Sequence, residues 1–306
     1  METFIFDYSL FLLKALTVLG VIGGLIKLTK STDLQLPIQL KSFNKRHQRQ
    51  TAFLHKAIKK KMPKKKKTKI KQSVYVIDFK GDMRATAVNQ LRDEITALLS
   101  IMTPQDQVMI RLESPGGTII DYGLAHAQLQ RIKRNKNRLT ICVDRVAASG
   151  GYLMACVADH IIAAPFAYIG SIGVAMEMVN FHDLLEKNNI KPETITSKKY
   201  KRTLTPLSKT TDEARAKVRE ELGIHQAQFE TAISQYRPHL DMDRVATGEY
   251  WCAENAIQLG LVDEIGTSDD FIMKHLPDHQ VYEVKAPVIK TMKQKMFEKA
   301  LAYVGL

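Results

Sequence analysis

A chain of 306 residues with 45% hydrophobic side chains is long enough for one large domain with appendages, or two domains, and apolar enough to bury a core. Its three cysteines, Cys142, Cys156 and Cys252, are odd in number and widely spaced, which argues against a disulfide framework or a zinc site. The net charge of +13 belongs to one segment: Leu34 to Ser73 holds 14 basic residues and no acidic one, and the rest of the chain sums to −1.

The N-terminal region, residues 1–33, reads as a membrane anchor. Tyr8 to Leu28 is apolar except for Lys14 and Lys27, and Ala15 to Ile26 carries no charge. A spanning helix needs about 20 apolar residues, and a lysine near one end can snorkel. A cleaved signal peptide would start basic, whereas this chain starts with Glu2 and Asp7 and shows no A-x-A-like site. Residues 34–72 read as a solvated basic linker attracted to anionic lipid. Nucleic-acid binding is not expected of it, because few aromatic side chains interleave the lysines.

The folded domain is expected over 73–285. Val74 to Phe79 has strand composition, and Arg84 to Ile101 is an amphipathic helix with Val88, Leu91, Ile95 and Leu98 at helical spacing. Strand Val108 to Leu112, helix Thr118 to Lys133 and strand Leu139 to Val143 follow, an alternation that argues for an α/β architecture with parallel pairing. A helix from Tyr152 to Val157, a short strand from His160 to Ala163, a helix from Phe181 to Asn188 and a strand from Glu193 to Ser197 are expected next. Thr211 before Asp212 and Glu213 is an N-cap signal for a helix running on through Phe229 and Ile233. Ala253 to Leu259 reads as a helix closed by Gly260, with a short strand at Leu261 to Glu264. An amphipathic C-terminal helix is expected over 286–306. Cys142 and Cys156 lie in apolar runs and read as buried free thiols.

Two turns carry chemistry. Val146 to Tyr152 reads VAASGGY, placing Ser149 between small residues where a strand gives way to a helix. Such a turn exposes a nucleophile, and the helix start aims backbone N–H groups at an oxyanion. A small-Ser-Gly-Gly turn is also common in loops that do no chemistry. The second turn, Ser114-Pro115-Gly116-Gly117, follows the strand ending at Leu112. Two glycine turns after neighbouring strands could converge. Ser171, in IGSIGV, is a rival nucleophile, although such a stretch more often supports a site. None of the nine histidines makes a signature with Ser149, and His160 reads as structural. Asp144 and Arg145 read as surface or subunit contacts.

The SPGG, VAASGGY, GSIGV, YKRTLT and GLVDE stretches, spread over Val74 to Phe271, resemble the S49 family of serine peptidases and, more distantly, the Clp protease and crotonase fold. The resemblance implies a Clp/crotonase-like α/β fold of repeated strand–turn–helix units, and a membrane-anchored serine endopeptidase with a Ser149–Lys201 dyad. YKRTLT carries the base onto Lys201, with Lys198 and Lys199 as alternatives of register. Gly117 and Gly150 become the oxyanion donors. The family forms rings in which a neighbouring subunit or tandem repeat supplies the lysine, so a single-copy chain is expected to be a homo-oligomer. Peptides or proteins are the implied substrates, such as signal peptide remnants or misfolded chains. No metal, nucleotide or other cofactor is implied. The implied location is the cell inner membrane, single-pass, with the side of the catalytic domain left open. The basic flank favours the cytoplasm, while related peptidases commonly work on the far side. A crotonase-like acyl-CoA enzyme and a non-catalytic membrane scaffold remain the other readings.

Overall fold

The computed structural model describes residues 8–20, 38–59 and 72–286. The chain divides into two units, residues 1–37 and 38–306. In the first, residues 8–20 form a helix, α1. Among the described residues no helix is long and apolar enough to cross a membrane. Residues 21–28 of the expected span, and the expected C-terminal helix beyond residue 286, lie outside the described residues.

The second unit opens with β1 (Gln39–Ser42) and α2 (Phe43–Ala57). Strand and helix then alternate through β2 (Ser73–Lys80), α3 (Val88–Leu99), β3 (Gln107–Glu113), α4 (Ile119–Arg134) and β4 (Arg138–Val143). Next come β5 (Val146–Ala148), α5 (Gly150–Ala155), β6 (His160–Ala163), β7 (Tyr168–Gly170) and α6 (His182–Lys187). The long α7 (Asp212–Tyr236) leads to α8 (Met242–Val245), β8 (Tyr250–Cys252), α9 (Ala253–Ala256), β9 (Glu264–Ile265), α10 (Ser268–His275) and β10 (Gln280–Lys285). Seven strands form one sheet in the order β1-β10-β2-β3-β4-β6-β9, and β5-β7-β8 form a second. The large sheet is parallel except where β1 runs antiparallel to β10.

Because successive side chains point to opposite faces, the large sheet feeds two apolar layers. Tyr75, Ile77 and Phe79 of β2, with Val108, Ile110 and Leu112 of β3, pack with α3, α4 and α5. Val74, Val76, Met109, Cys142 and Ile162 face the other way and meet Phe271 and Ile272 of α10, with Phe43 of α2 at the margin. Burial on both faces explains why these strands read as unbroken apolar runs. The three cysteines are free, with Cys142 and Cys156 buried.

Several sequence expectations need correction. Residues 38–59, read as part of a linker, hold β1 and α2. Asn44 is buried, its Nδ2 donating to the Leu276 and His279 carbonyls at 3.0 and 2.9 Å and its Oδ1 accepting from Val281 N–H at 2.8 Å. Their partners lie more than 230 residues away, so local composition carried no sign of them. Helix α3 starts at Val88 and not at Arg84, because Asp82 accepts from the Thr86 N–H and hydroxyl and holds 82–86 as a turn. No strand forms over 193–197, where Ile195 is 95% exposed with no neighbouring strand to pair. Thr211 caps α7 as expected, accepting from Ala214 N–H at 3.1 Å. Asp144 is exposed, as expected, and also accepts from Ser268 N–H and hydroxyl at 2.8 and 2.6 Å, holding the start of α10. His160 joins Glu264 at 2.8 Å across β6 and β9, a structural role.

A buried fork fixes the C-terminal third to the core. Arg237 donates to both Asp263 oxygens, at 2.8 and 2.7 Å, and to the Gly260 carbonyl. Burial opposes the charge on each partner, but their mutual hydrogen bonds outweigh it, raising the Arg237 pKa and lowering that of Asp263. A carboxylate with a depressed folded pKa stabilises the fold fully above its unfolded pKa and loses that contribution as pH falls through the folded value. Acid melting is therefore expected to show a loss of stability below about pH 4. Asp263→Asn leaves the guanidinium, 5% exposed, without its counter-charge. It is expected to cost about 3–5 kcal/mol at neutral pH and to flatten the acid limb, checked by denaturant unfolding at a series of pH values.

Candidate active site

Three loops leave the carboxyl ends of the neighbouring parallel strands β2, β3 and β4, the end of a parallel sheet where ligand crevices form. The loop after β3 is locked to the loop after β4. Ser114 N–H donates to the Val146 carbonyl at 2.8 Å, and Ala148 N–H returns to the Ser114 carbonyl at 3.0 Å. Ser114 is fully buried, its hydroxyl 2.6 Å from Tyr122 Oη and accepting from Gly116 N–H at 3.1 Å.

Only glycine fits this approach. Gly116 has φ +89°, and a Cβ there would stand 2.7 Å from both the Ala148 carbonyl oxygen and Ser149 Cβ. A Cβ on Gly117 would meet the Met83 carbonyl oxygen at 2.0 Å, and one on Gly150 would meet the Tyr122 ring at 2.4 Å. The SPGG turn is thus pressed against the serine turn on one side and the 81–84 loop on the other.

Ser149 sits at the N-cap of α5 with φ 52° and ψ −121°, a conformation non-glycine residues rarely adopt. Its N–H is committed to the Gly170 carbonyl at 2.8 Å, which holds the backbone in that conformation. Strain of this kind concentrates at functional positions. Among the described residues neither Gly117 N–H nor Gly150 N–H donates to a protein acceptor, and no side chain hydrogen-bonds the Ser149 hydroxyl. Ser149, Gly116, Gly117, Gly150 and Ser171 all line one cavity of 530 Å³. The remaining wall is largely apolar, from Met83, Ile119, Leu153, Val174, Phe229 and Ala232. Such a space suits an apolar peptide side chain beside a carbonyl held near Ser149.

Lys201 is not brought into this cavity. It is exposed, in a turn where its N–H donates to the Lys198 carbonyl at 3.1 Å. Lys199 is paired with Glu213, whose hydrogen bond and charge raise its pKa, the wrong direction for a base. Two histidines without a sequence signature do line the cavity, His126 and His225. His126 is unsuited to proton transfer: Nδ1 donates to the Leu153 carbonyl at 2.7 Å and Nε2 accepts from Gln130 at 2.9 Å. Burial lowers its pKa, because desolvation disfavours the charged ring. His225 is exposed and faces Gln228 at 3.3 Å. No motif marked either residue; the i, i+4 spacing of His126 with Gln130 and of Tyr122 with His126 along α4 was the available signal. His182, Asp183 and Glu186 of α6 lie close enough to share a metal ion among the described residues, but Asp183 is fully exposed and none of the three lines the cavity.

Comparison with known proteins identifies the class. Residues 131–281 match the model of peptidase family S49, and residues 3–129 match that of the S49 N-terminal region. A probable SohB protease of Haemophilus influenzae is 46% identical over 230 residues, covering 75% of this chain and 65% of that protein. A putative SohB protease of Buchnera aphidicola subsp. Baizongia pistaciae is 44% identical over 233 residues, covering 76% of this chain and 67% of the relative. The match thus spans about two thirds of the relatives' length. Among solved structures, a membrane-bound stomatin-specific protease superposes at 17% identity with a TM-score of 0.46, over 71% of this chain and 99% of that one. The chain belongs to peptidase family S49.

One cavity residue departs from helix preference. Gly123 lies inside α4, has no positive φ and lines the cavity, and a Cβ there meets nothing within 4 Å. Glycine within a helix costs about 0.5–1 kcal/mol relative to alanine. Gly123→Ala is expected to raise stability by about that amount while narrowing the cavity. A peptide panel should show cleavage beside the largest apolar side chains falling, with smaller ones spared, and thermal melting should show the gain.

Proposed function

We propose that this chain is a membrane-anchored serine endopeptidase in which Ser149 attacks a peptide carbonyl. The observation that carries the reading is the strained Ser149 backbone, with the free N–H groups of Gly117 and Gly150 on the same cavity. Family membership supports it. The two N–H groups hold the oxyanion, each worth about 10²–10³ in rate. Lys201 takes the serine proton and returns it to the leaving amine, after which water hydrolyses the acyl-enzyme. No step calls for a metal or other cofactor.

A lysine outside the chain's own cavity has to come from another copy. The arm between β7 and α7 supports this reading. It carries Lys201 and exposes Val179 by 68%, Leu184 by 58% and Ile195 by 95%, apolar surface left uncovered by its own domain. The working form is a homo-oligomer in which each arm completes a neighbour's site. The same reading takes residues 1–33 as the anchor, a basic segment within 34–72 as the part near anionic lipid, and residues 73–285 as the peptidase core. The location is the bacterial inner membrane, and the substrates are peptides or proteins, with signal peptide remnants or misfolded chains as the leading classes.

Ser149→Ala is expected to abolish hydrolysis with the melting curve retained; activity in the purified variant would transfer the role to Ser171. Lys201→Ala is expected to be inactive, and Lys201→Arg to fail as well because a guanidinium stays protonated. Mixing Ser149→Ala and Lys201→Ala chains should recover part of the activity, since some interfaces then pair an intact serine with an intact lysine. The wild-type rate should rise with pH, with the rising limb above about pH 7, because a lysine accepts a proton only when neutral. Full activity in Lys201→Ala would discard this lysine and make Lys199 the next residue to test.

A further inference from the structure

Three consecutive N–H groups at the SPGG turn meet different fates. Gly116 N–H donates to Ser114 Oγ at 3.1 Å, and Thr118 N–H donates to the Met83 carbonyl at 2.9 Å. Gly117 N–H, between them, has no protein acceptor among the described residues and borders the cavity. The free donor is therefore held in place by the bonded one on either side.

Both holds lead to the 81–84 loop, and one of them passes through Tyr122. Ser114 Oγ stands 2.6 Å from Tyr122 Oη, which donates to the Asp82 carbonyl at 2.8 Å. The ends of this chain set its direction, because an amide N–H can only donate and a carbonyl can only accept. Gly116 N–H gives to Ser114, Ser114 O–H to Tyr122, and Tyr122 O–H to Asp82. Ser114 and Tyr122 are fully buried, so water does not replace a missing link. Burial raises the Tyr122 pKa, which keeps the phenol a donor. Gly81 leaves room for the relay, since a Cβ there would stand 2.4 Å from both hydroxyl oxygens. The ring of the same side chain reaches the second donor: a Cβ on Gly150 would meet Tyr122 Cγ at 2.4 Å.

We propose that Tyr122 is a positioning residue for the oxyanion site: its hydroxyl, through Ser114, fixes the Gly117 N–H, and its ring fixes the Gly150 N–H, at the spacing a tetrahedral intermediate needs. This rests on the serine-peptidase reading of the same site and adds a residue that acts on the donors from behind. A substrate carbonyl carries little charge and tolerates a displaced donor. The oxyanion carries a full charge and does not, so the effect falls on the transition state.

The test uses the full chain with Tyr122→Phe, which keeps a ring against Gly150 and removes only the hydroxyl link. On a fluorogenic peptide with leucine before the scissile bond, kcat is expected to fall about tenfold with KM unchanged, less than the loss of a whole donor. The matching peptide aldehyde is the second probe. The Ser149 hydroxyl adds across its carbonyl to give a tetrahedral hemiacetal whose oxygen takes the oxyanion position. Its Ki is expected to rise in the same proportion as kcat falls, whereas mere loss of folded protein would lower kcat and leave Ki unchanged. Ser114→Ala breaks the relay one link earlier and should cost the same, and the double variant should cost no more than either. An unchanged Ki in Tyr122→Phe would overturn the proposal, as would losses that multiply in the double variant. Should Tyr122→Phe fail to fold, an unchanged Ki in Ser114→Ala overturns it equally. Hydrolysis surviving in Ser149→Ala would overturn the serine-peptidase reading and this role with it. Loss in Ser149→Ala beside an unchanged Ki in Tyr122→Phe overturns this role alone.

Discussion

The structure turns on the short backbone ladder between Ser114 and the Val146–Ala148 strand. These two hydrogen bonds join the end of one strand of the large sheet to the first strand of the small one. They bring two turns from separate strand–turn–helix units to within van der Waals distance, and that spacing is available only without side chains at 116, 117 and 150. The serine conformation depends on the same ladder. Ala148 is held from one side by Ser114 and Ser149 from the other by Gly170, so the residue between strand and helix has no relaxed alternative. Tyr122 closes the arrangement, its hydroxyl touching Ser114 and donating to the Asp82 carbonyl while its ring packs on Gly150.

Much of this was legible in the chain. Strands buried on both faces announce themselves as apolar runs, so β2, β3, β4 and β6 were found within a residue or two at each end. Glycine pairs after two of those strands marked the two turns, because a close approach has no other residue solution. Elements defined by distant partners were hidden. Strand β1 exists by pairing with β10 and α2 by the hydrogen bonds of Asn44, whereas the sequence around them shows only positive charge. The expected strand over 193–197 failed for the converse reason: its composition suits a strand, but no edge lies beside it. Helix propensity misled at 84–87, where Asp82 takes the N–H groups that a helix start would have used.

The candidate site divides along the same line. Ser149, Gly117 and Gly150 belong to turns whose geometry is written locally, and the fold brings them together. His126 entered the cavity wall through the packing of α4 on α5, which no local pattern encodes, and its ring is tied on both nitrogens. Lys201 stands on an arm whose apolar side chains face outward, so its place in a reaction is not decided by the packing of a single chain.

The antiparallel pairing of β1 with β10 has a geometric consequence. Gln39 stands opposite Lys285, so the polypeptide enters the folded unit and leaves it at adjacent points on one sheet corner. Because β10 is parallel to β2, and β2 to β3 and β4, that corner is at the carboxyl end of the strands, the end that also bears Ser149. Whatever holds the flanking segments therefore holds the domain by its reactive pole. A segment joined at this corner meets the domain on the side of its cavity, whereas one joined at the opposite pole would meet it on the far side.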